Sequence, residues 1–485
     1  MSHTCPLSAL DRAEAAATVA ATEAATETCT GHSCPYSNSG PCAFSGAPGH
    51  AILEQASPSS TVVPSNVVAP QEGAFVPQGT FVPQGTFVHA SAPARIDLAG
   101  GWTDTIPITH EHGGKVVNVA IKVNSQAPYT VKARRTEALI LSLSHSPTEP
   151  PMHYHSIEQI RDHADPLVPC ALLKACIVAS GILGITSRRH DDVPYKTLAE
   201  VLKYSGGGLE LIVRSSLPVG SGMGTSSILA AAILAVLKTL KGENYTMDDL
   251  IYQTLEVEQM MNTGGGWQDQ VGGILPGFKV TTCKVGLPIQ IKTQSLNLPS
   301  EFVDSFNARL LLIFTGQTRL AKNLLQTVLM NWAGQEPDIV ETMDRLVKDA
   351  DACEAVLAKG DMAGVGTILS KYFADKRFLS KTTLNDPPIL ARLLRHLDPY
   401  IEGASLAGAG GGGFLAALLK PNLIREDVVS KVRAAMANDT LEQQQSQQQP
   451  PQEGDESKDL PQEEDLMWAW EATIDTEGLV VRIGS

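Results

Sequence analysis

The pattern of apolar positions changes in the middle of the chain from alternating to continuous. Leu209, Leu211 and Val213 alternate with their neighbours, which predicts a strand. Residues 228–237 are apolar without interruption and rich in strong helix formers, which predicts a helix buried on all sides. The segment between them reads Pro-Val-Gly-Ser-Gly-Met-Gly-Thr-Ser-Ser. The predicted order is therefore strand, glycine loop, helix.

Further elements follow from the same patterns on both sides of this unit. Alternating or short apolar runs predict strands over residues 88–98, 116–123, 129–133, 139–143, 278–285, 289–296, 308–315, 468–472 and 479–483. Helical spacing predicts helices over residues 171–182, 198–204, 247–261, 320–332, 337–359, 361–378 and 388–397. A glycine cluster interrupts the apolar run 404–419. Strands and helices are mixed without regular alternation, so we predict an α+β fold.

Two segments have the composition of disordered chain. Residues 1–86 are rich in Ala, Thr, Ser, Pro and Gly, and Phe-Val-Pro-Gln-Gly-Thr occurs twice in succession at their end. Residues 440–465 are rich in Gln, acidic residues and Pro, and we expect an insertion without structure there. We predict a mostly disordered tail over 1–86 and order from Phe87 onward.

Composition and charge narrow the class of protein. The 485 residues are 43% hydrophobic and 18% charged, which are globular values, and the net charge of −15 disfavours nucleic acid or an anionic membrane as a partner. The longest apolar run has ten residues, too few to cross a bilayer, and no signal peptide is visible. We therefore expect a soluble, cytoplasmic protein.

The eight cysteines fall into two groups. Cys170, Cys176, Cys283 and Cys353 lie singly in apolar contexts, as reduced core thiols of an intracellular protein do. The other four precede residue 43 among several His residues and could bind zinc, but they lack the Cys-x-x-Cys pair of usual zinc sites.

The glycine loop has the chemistry of a phosphate site. Gly220, Gly222 and Gly224 can adopt positive φ and let backbone N–H groups approach an anion, and the following helix start adds unpaired donors. The loop is not a Walker A motif, because no Lys follows the glycines. The hydroxyls at the helix start have a second interpretation as helix N-caps.

Three more segments carry candidate chemistry: residues 92–105, 263–273 and 405–414. Phosphoryl transfer needs a triphosphate cradle, a divalent ion and a group that orients or deprotonates the attacking hydroxyl. Ser226 and Glu258 are hard oxygen ligands suited to Mg²⁺, although Glu258 could equally be a solvated helix residue. Asp269 lies between Gln268 and Gln270 after a glycine stop, in a predicted loop at a cleft, where it could accept a proton or simply form a turn.

Four motifs follow one another along the chain: Gly-Gly-Trp-Thr-Asp-Thr, Gly-Thr-Ser-Ser, Thr-Gly-Gly-Gly-Trp-Gln-Asp-Gln-Val-Gly-Gly and Ser-Leu-Ala-Gly-Ala-Gly-Gly-Gly-Gly-Phe. In this order they resemble the motifs of the GHMP superfamily of small-molecule kinases. Within that superfamily, these motifs are most similar to those in the kinase region of L-fucokinases, and the similarity covers roughly residues 92–419. The resemblance implies an N-terminal domain like the second domain of ribosomal protein S5 over residues 87–295 and a ferredoxin-like C-terminal domain over 296–485, with ATP and sugar between them.

The resemblance also implies a role for each matching residue. Asp269 would be the base and Arg95 would lie beside it, keeping the carboxylate ionised. Ser226 and Glu258 would hold Mg²⁺. The sugar would contact Asp104, Gly100, Gly101, Trp102, Gly410 and Gly411. ATP would contact Pro218, Gly220, Ser221, Gly222, Met223, Gly224, Thr225, Ser226 and Ser227. The implied reaction places the γ-phosphate of ATP on the anomeric hydroxyl of L-fucose, giving β-L-fucose 1-phosphate for GDP-fucose salvage.

The chain departs from that family in two respects. Many fucokinases carry a long region before the kinase, which is a GDP-fucose pyrophosphorylase in plants and some bacteria, whereas only 91 residues precede Ala92. Either the kinase stands alone or the sequence is truncated. Met223 also replaces the more usual Leu in the phosphate loop, a mild change.

Other functions stay open from the sequence. A kinase for D-glycero-D-manno-heptose 7-phosphate or for arabinose has similar motifs, and a basic cluster beside the sugar pocket would favour the heptose phosphate. A superfamily member without catalysis could instead sense sugars as a binding protein. Retention of Arg95, Asp104, Ser226, Glu258 and Asp269 argues against that class.

Overall fold

The computed structural model describes residues 82–146, 148–184, 197–218, 220–316, 321–379, 388–410, 412–446 and 467–484. These residues belong to one compact unit, Asn66–Ser485. The predicted tail lies outside the described residues up to position 81, as do the N-terminal cysteines and the predicted insertion from position 447 to 465. At the end of the predicted tail, Val82 is buried and the Gly85 amide donates to the carbonyl of Arg135 at 2.9 Å.

The described chain contains strands and helices in mixed order, which confirms the α+β class. The strands are β1 Val88–Ala92, β2 Ala94–Ala99, β3 Gly114–Val123, β4 Tyr129–Thr136, β5 Leu141–Ser144, β6 Met152–Tyr154, β7 Gly208–Ser215, β8 Phe278–Cys283, β9 Ile291–Leu296, β10 Leu310–Phe314, β11 Ile401–Leu406, β12 Phe414–Leu419, β13 Met467–Trp470, β14 Ala472–Ile474 and β15 Val480–Ile483. The α-helices are α1 Ile108–Glu111, α2 Glu158–Arg161, α3 Ala171–Ala179, α4 Leu198–Tyr204, α5 Thr225–Leu240, α6 Met247–Met260, α7 Gln268–Ile274, α8 Ser300–Arg309, α9 Ala321–Ala333, α10 Pro337–Ala358, α11 Met362–Leu379, α12 Pro388–Leu397 and α13 Arg425–Ser446.

The strands form three sheets within the described residues. The first has the order β15-β1-β4-β7-β5-β6, and the second has the order β11-β12-β10-β13. The third has the order β14-β3-β8-β9, and β2 also pairs with β3. Each pairing is antiparallel except that of β5 with β7.

The central strand–loop–helix unit has the predicted form. Strand β7 is followed by the glycine loop and by α5, which packs against β1 and β4 on one side and against α3, α6 and α7 on others. Eleven consecutive residues of α5, Ser227 to Leu237, are buried. The helix can be apolar all round because no face of this stretch meets solvent.

Two predictions differ from the structure, and the run 404–419, for which no element was predicted, forms two strands. Residues 88–98 form two strands in different sheets, because Pro93 cannot donate to a ladder and separates β1 from β2. The run 404–419 forms β11 and β12, with its glycines in the connection between them. Asp269 lies in the first turn of helix α7 and not in a loop. Helices α1, α2, α8 and α13 and strand β6 were not predicted, and α13 extends to Ser446, inside the range predicted to lack structure.

The end of the described chain returns to the first half. Strand β14 pairs with β3, and β15 pairs with β1, so residues 472–483 join sheets built by the range 87–295. The division into domains at residues 295 and 296 stays a prediction, and these two strands lie with the first of its ranges. No helix in the described part of the chain combines the length and apolar character that spanning a bilayer requires.

Candidate active site

A buried arginine and a partly exposed aspartate form the centre of the site. Arg95 lies on β2 with 1% of its side chain exposed, and Asp269 lies on α7 with 29% of its side chain exposed. Nε and Nη2 of Arg95 donate to Oδ1 of Asp269 at 2.8 and 2.5 Å. Burial acts to lower the pKa of Arg95, but the carboxylates Asp269 and Asp97 outweigh it and raise the pKa overall. The guanidinium is therefore charged, and it holds one oxygen of Asp269 from two nitrogens.

Helix α7 is fixed in place at both ends of its first turn. Trp267, immediately before it, is fully buried and donates from Nε1 to Oγ1 of Thr109 at 3.0 Å. The backbone amide of Gln268 donates to Oδ2 of Asp104 at 3.1 Å. A Cβ on Gly272 would lie 2.9 Å from Cβ of Arg95, so a residue with a side chain would push the helix away from β2. These contacts determine where Asp269 meets Arg95.

The predicted phosphate loop lies against Asp269. Gly220, Gly222 and Gly224 have φ values of 72°, 74° and 79°, so each adopts the left-handed conformation that favours glycine. A Cβ on Gly224 would lie 3.4 Å from Cβ of Asp269. The loop and the carboxylate predicted to work together are therefore neighbours.

The polar groups of this loop suit an anion. No side chain caps the N-terminus of α5, whose N-cap residue is Gly224. Oγ of Ser221 is buried and has no hydrogen-bond partner among the described residues. Tyr129 Oη lies 3.0 Å from Oγ1 of Thr225 and donates to the carbonyl of Met223 at 3.1 Å, which braces the loop from β4. Uncapped helix donors next to an unpartnered hydroxyl fit a phosphate group.

The second glycine segment packs directly on the first. The amide of Phe414 donates to the carbonyl of Ser221 at 3.1 Å, and a Cβ on Gly413 would lie 2.2 Å from that carbonyl oxygen. A Cβ on Gly222 would lie 2.5 Å from the carbonyl oxygen of Ala407. Glycine is required on both sides because the two backbones touch. Gly410 lies beside Lys376, and Gly411 lies outside the described residues.

Two further carboxylates are buried with an unpartnered oxygen each. Asp104 is 1% exposed, and its Oδ1 has no partner among the described residues. Burial raises the pKa of Asp104 to about 7, against the hydrogen bond from the Gln268 amide. Burial raises the pKa of Glu258 to about 8, against the hydrogen bond that Ser227 Oγ donates to Oε1, while Oε2 has no partner in the described part of the structure. The charge of Asp269 raises both pKa values further.

Glycines cover these two carboxylates. A Cβ on Gly265 would lie 1.9 Å from Oε2 of Glu258, and a Cβ on Gly266 would lie 2.0 Å from Oδ2 of Asp104. The three consecutive glycines before Trp267 therefore let the backbone pass over both acids. A side chain at either position would occupy the place of a carboxylate oxygen.

Of the two residues predicted to hold a metal, Glu258 contacts a serine other than the predicted Ser226. The hydroxyl that reaches Glu258 belongs to Ser227, while Ser226 is exposed in the same turn of α5. No group of three or more His, Cys, Asp or Glu side chains gathers as a metal site in the described residues. Mg²⁺ commonly takes only one or two carboxylates together with phosphate oxygens and waters. An unpartnered oxygen on Glu258 near a phosphate loop fits that ligand set.

The Gly-Gly-Trp stretch, residues 100–102, lies beside the side chain of Gln268. A Cβ on Gly101 would lie 2.0 Å from the hydroxyl of Tyr372 and 2.8 Å from Oε1 of Gln268. Trp102 has a φ of 79° and is buried, and its Nε1 has no partner among the described residues. Gly101 thus allows the end of β2 to approach helix α11, and both Nε1 of Trp102 and Oε1 of Gln268 lack a partner among the described residues.

The sequence assigned no role to three residues that lie around Arg95, namely Asp97, Tyr372 and Lys376. Oδ1 of Asp97 accepts from Nη1 of Arg95 at 2.8 Å and from the amide of Gly408 at 3.1 Å. Its Oδ2 accepts from Tyr372 Oη at 2.6 Å and from Lys376 Nζ at 3.1 Å. A spacing of two on a strand would have placed Asp97 on the same face as Arg95. The spacing of four between Tyr372 and Lys376 indicates a shared helix face but not what that face meets.

Comparisons with known proteins agree with this geometry. Residues 192–277 match the family model described as the GHMP kinases N terminal domain. The chain is 30% identical over 328 residues to the bifunctional fucokinase/GDP-fucose pyrophosphorylase of Arabidopsis thaliana, a match that covers 68% of this chain and 29% of that protein. It is 30% identical over 337 residues to the L-fucokinase/L-fucose-1-P guanylyltransferase of Bacteroides fragilis, covering 69% of this chain and 34% of that one. The chain thus spans about a third of the length of these relatives.

Solved structures share the fold. A D-glycero-D-manno-heptose 1-phosphate kinase from Bacteroides thetaiotaomicron superposes with a TM-score of 0.54 at 17% identity, over 81% of this chain and 98% of that chain. Lactococcus lactis galactokinase, solved with galactose, gives a TM-score of 0.54 at 15% identity, over 81% of this chain and 94% of that chain. The matched family model thus identifies residues 192–277 as a GHMP kinases N terminal domain, and the solved structures show that the described chain shares the fold of these sugar kinases.

Proposed function

We propose that this protein is an ATP-dependent sugar kinase that transfers the γ-phosphate of ATP to the anomeric hydroxyl of L-fucose, giving β-L-fucose 1-phosphate. The observation that supports it is the position of Asp269, which is held by Arg95 and lies beside the glycine loop. The two relatives at 30% identity are named for fucokinase activity, which supports L-fucose as the acceptor.

In the proposed reaction, Asp269 takes the proton of the attacking hydroxyl. The hydroxyl oxygen forms a bond to the γ-phosphorus while the bond from that phosphorus to the β–γ bridging oxygen breaks, and ADP leaves. Arg95 orients Asp269, because two guanidinium nitrogens hold one carboxylate oxygen. Only the other oxygen of Asp269 would then face the sugar.

For ATP, we propose the loop Pro218, Gly220, Ser221, Gly222, Met223, Gly224, Thr225, Ser226 and Ser227. Its left-handed glycines and uncapped helix start would present backbone N–H groups to the phosphates, and Ser221 would add its buried hydroxyl. Glu258 would hold Mg²⁺ with a serine hydroxyl, either Ser226 or Ser227. The ion would neutralise charge on the phosphates when bound.

For the sugar, we propose Asp104 with Gly100, Gly101, Trp102, Gly410 and Gly411. Oδ1 of Asp104 would accept a hydrogen bond from a sugar hydroxyl, since it lacks any other partner among the described residues. The indole Nε1 of Trp102 would donate in return. Acceptors and donors placed in this way suit a neutral polyhydroxyl compound. We also propose that residues 87–295 and 296–485 form the two domains of the kinase, with β14 and β15 completing the sheets of the first.

The test is an assay of purified protein with Mg-ATP against a panel of acceptors: L-fucose, D-arabinose, L-arabinose, galactose, mevalonate and a heptose 7-phosphate. We expect ATP consumption to be fastest with L-fucose and the product to carry phosphate at C1, as phosphorus NMR would show. An equal or higher rate with the heptose phosphate or an arabinose would overturn the assignment of the acceptor. Sugar binding without ATP consumption would indicate a binding protein.

A further inference from the structure

The carboxylate of Asp97 is a buried charge that the proposed chemistry does not use. Asp97 is 1% exposed and accepts hydrogen bonds from four residues that belong to three segments of the molecule. These are Arg95 on its own strand, Tyr372 and Lys376 on α11, and the amide of Gly408 in the second glycine segment. We name Asp97, Tyr372 and Lys376 the anchor cluster.

The anchor cluster holds the face of Arg95 that Asp269 does not hold. Nη1 of Arg95 donates to Asp97 and to the carbonyl of Gly222 at 3.0 Å, while Nε and Nη2 donate to Asp269. A guanidinium is planar with its donors in fixed directions, so fixing Nη1 fixes the edge that faces Asp269. The position of Asp97 therefore sets the orientation of the arginine on which Asp269 depends.

Helix α11 determines the position of Asp97 in turn. Tyr372 and Lys376 are both fully buried and lie one turn apart, and the Lys376 ammonium lies 4.0 Å from the centre of the Tyr372 ring. Lys376 also donates to the carbonyl of Leu406, at the end of β11. The cluster thus connects Arg95 to α11 and to the strand that leads into the second glycine segment.

We infer that the anchor cluster is a positioning device for the proposed reaction: Asp97, fixed by Tyr372 and Lys376, orients Arg95 so that Asp269 faces the acceptor hydroxyl. This inference rests on the proposed function. It adds that residues more than 270 positions away in sequence set the turnover rate without contacting ATP or sugar, since Tyr372 bonds Asp97 across a separation of 275 residues.

Asp97→Asn and Tyr372→Phe test the inference because both substitutions preserve side-chain shape. We expect Asp97→Asn to lower kcat by about 100-fold and Tyr372→Phe by about tenfold, the loss of one or more hydrogen bonds to a charged group. The KM values for ATP and sugar should stay within about twofold, because the cluster contacts neither. Wild-type kcat in Tyr372→Phe, or a loss confined to KM, would overturn the inference.

A double-mutant cycle separates positioning from general damage to the fold. In an Arg95→Lys background, the fork that Asp97 orients is absent, so adding Asp97→Asn should change the residual kcat by less than about twofold. If Asp97→Asn lowers kcat by the same factor in both backgrounds, Asp97 does not act through Arg95 and the inference is wrong. Tyr245→Phe is the matched control, since its hydroxyl contacts Thr239 at 3.2 Å, about 20 Å along α5 from the glycine loop. It should leave kcat unchanged.

A structural measurement keeps the test independent of the acceptor. If the wild-type protein phosphorylates none of the sugars, the proposed function fails, and crystal structures of Asp97→Asn and Tyr372→Phe then decide the inference. A guanidinium of Arg95 turned away from Asp269 in these variants would support the anchor cluster. An Arg95–Asp269 contact unchanged from the wild type would overturn it.

Discussion

Two aspartates of the site, Asp97 and Asp104, are equally buried at 1% exposure but differ in their partners. Asp97 accepts from Arg95, Tyr372, Lys376 and Gly408, and its pKa is held below the usual value despite burial, through Lys376 and Arg95. Asp104 accepts from the amide of Gln268 and has one oxygen without a partner among the described residues, and burial raises its pKa to about 7. Burial alone therefore does not decide the charge of an acid here; the donors around it do.

Asp97 has a structural role in the site, whereas Asp104 and Glu258 each have an oxygen that could contact a ligand. The donors to Asp97 are all supplied by the protein, so it can serve as an anchor. Asp104 and Glu258 each keep an oxygen for which the described residues offer no donor. A buried carboxylate oxygen without a hydrogen-bond donor destabilises the folded protein unless a ligand supplies the donor or a cation. Such oxygens are typical of functional positions. Variants of each group can test this distinction.

The largest effect is expected from Asp269→Asn, because Asp269 contacts Arg95 and its charge acts on both available acids. The amide cannot accept the hydroxyl proton, so kcat should fall by about two to four orders of magnitude. ATP affinity, measured by calorimetry, should stay near the wild-type value. Turnover close to that of the wild type would remove Asp269 from the role of base.

A smaller loss is expected from Glu258→Gln, which keeps the shape but removes the proposed metal-binding charge. The Mg²⁺ concentration that gives half-maximal rate should rise at least tenfold, because a carboxylate is the stronger ligand for a hard cation. Titration of the rate with Mg²⁺ at saturating ATP measures it. An unchanged Mg²⁺ requirement would assign Glu258 to the folded structure alone.

Ser226→Ala and Ser227→Ala are matched controls for that titration. The variant whose serine binds the ion should raise the Mg²⁺ requirement, and the other should leave it unchanged. Ser227 is the residue that contacts Glu258, whereas the motif points to Ser226.

The smallest effect concerns stability and pH. In the folded protein the pKa of Asp104 is raised from 3.8 to about 7, so the folded state binds this proton more tightly than the unfolded state. The contribution of Asp104 to the unfolding free energy therefore falls as pH rises from about 4 to about 7, by up to about 4 kcal/mol. Asp104→Asn should remove this decline, so the ligand-free variant should gain stability over the wild type at pH 8 relative to pH 4. Urea unfolding at both values measures it, and parallel curves would contradict it.

Local chemistry made much of the site predictable from sequence. A phosphate loop needs glycines at backbone positions with positive φ, and Gly220, Gly222 and Gly224 occupy such positions. The strand β7 and the helix α5 on either side have strong, regular patterns. The resemblance of the motifs to those of GHMP kinases implied that Asp269 lies beside this loop, and the structure brings the two together.

The parts that were not predictable depend on contacts between distant segments. Helix α7 has seven residues, and its start is held by Asp104 across 164 positions, so the local glycines suggested a loop. Pro93 gave a local reason to end a strand, but not the transfer of β2 to another sheet. The contact of Tyr372 with Asp97 leaves no periodic signal in one sequence. Neighbouring residues of a helix point about 100° apart, so the motif does not specify that the hydroxyl reaching Glu258 is that of Ser227 and not that of Ser226.

The pairing of β1 with β15 has a consequence for handling the protein. Val88 lies opposite Ile483 in this ladder, and β14 pairs with β3. The last strands of the described chain therefore complete two sheets that begin near residue 88. A protease cut in the exposed β8–β9 connection would therefore leave two fragments that still share two sheets. Fragments produced by such a nick should stay together through gel filtration and separate only in denaturant.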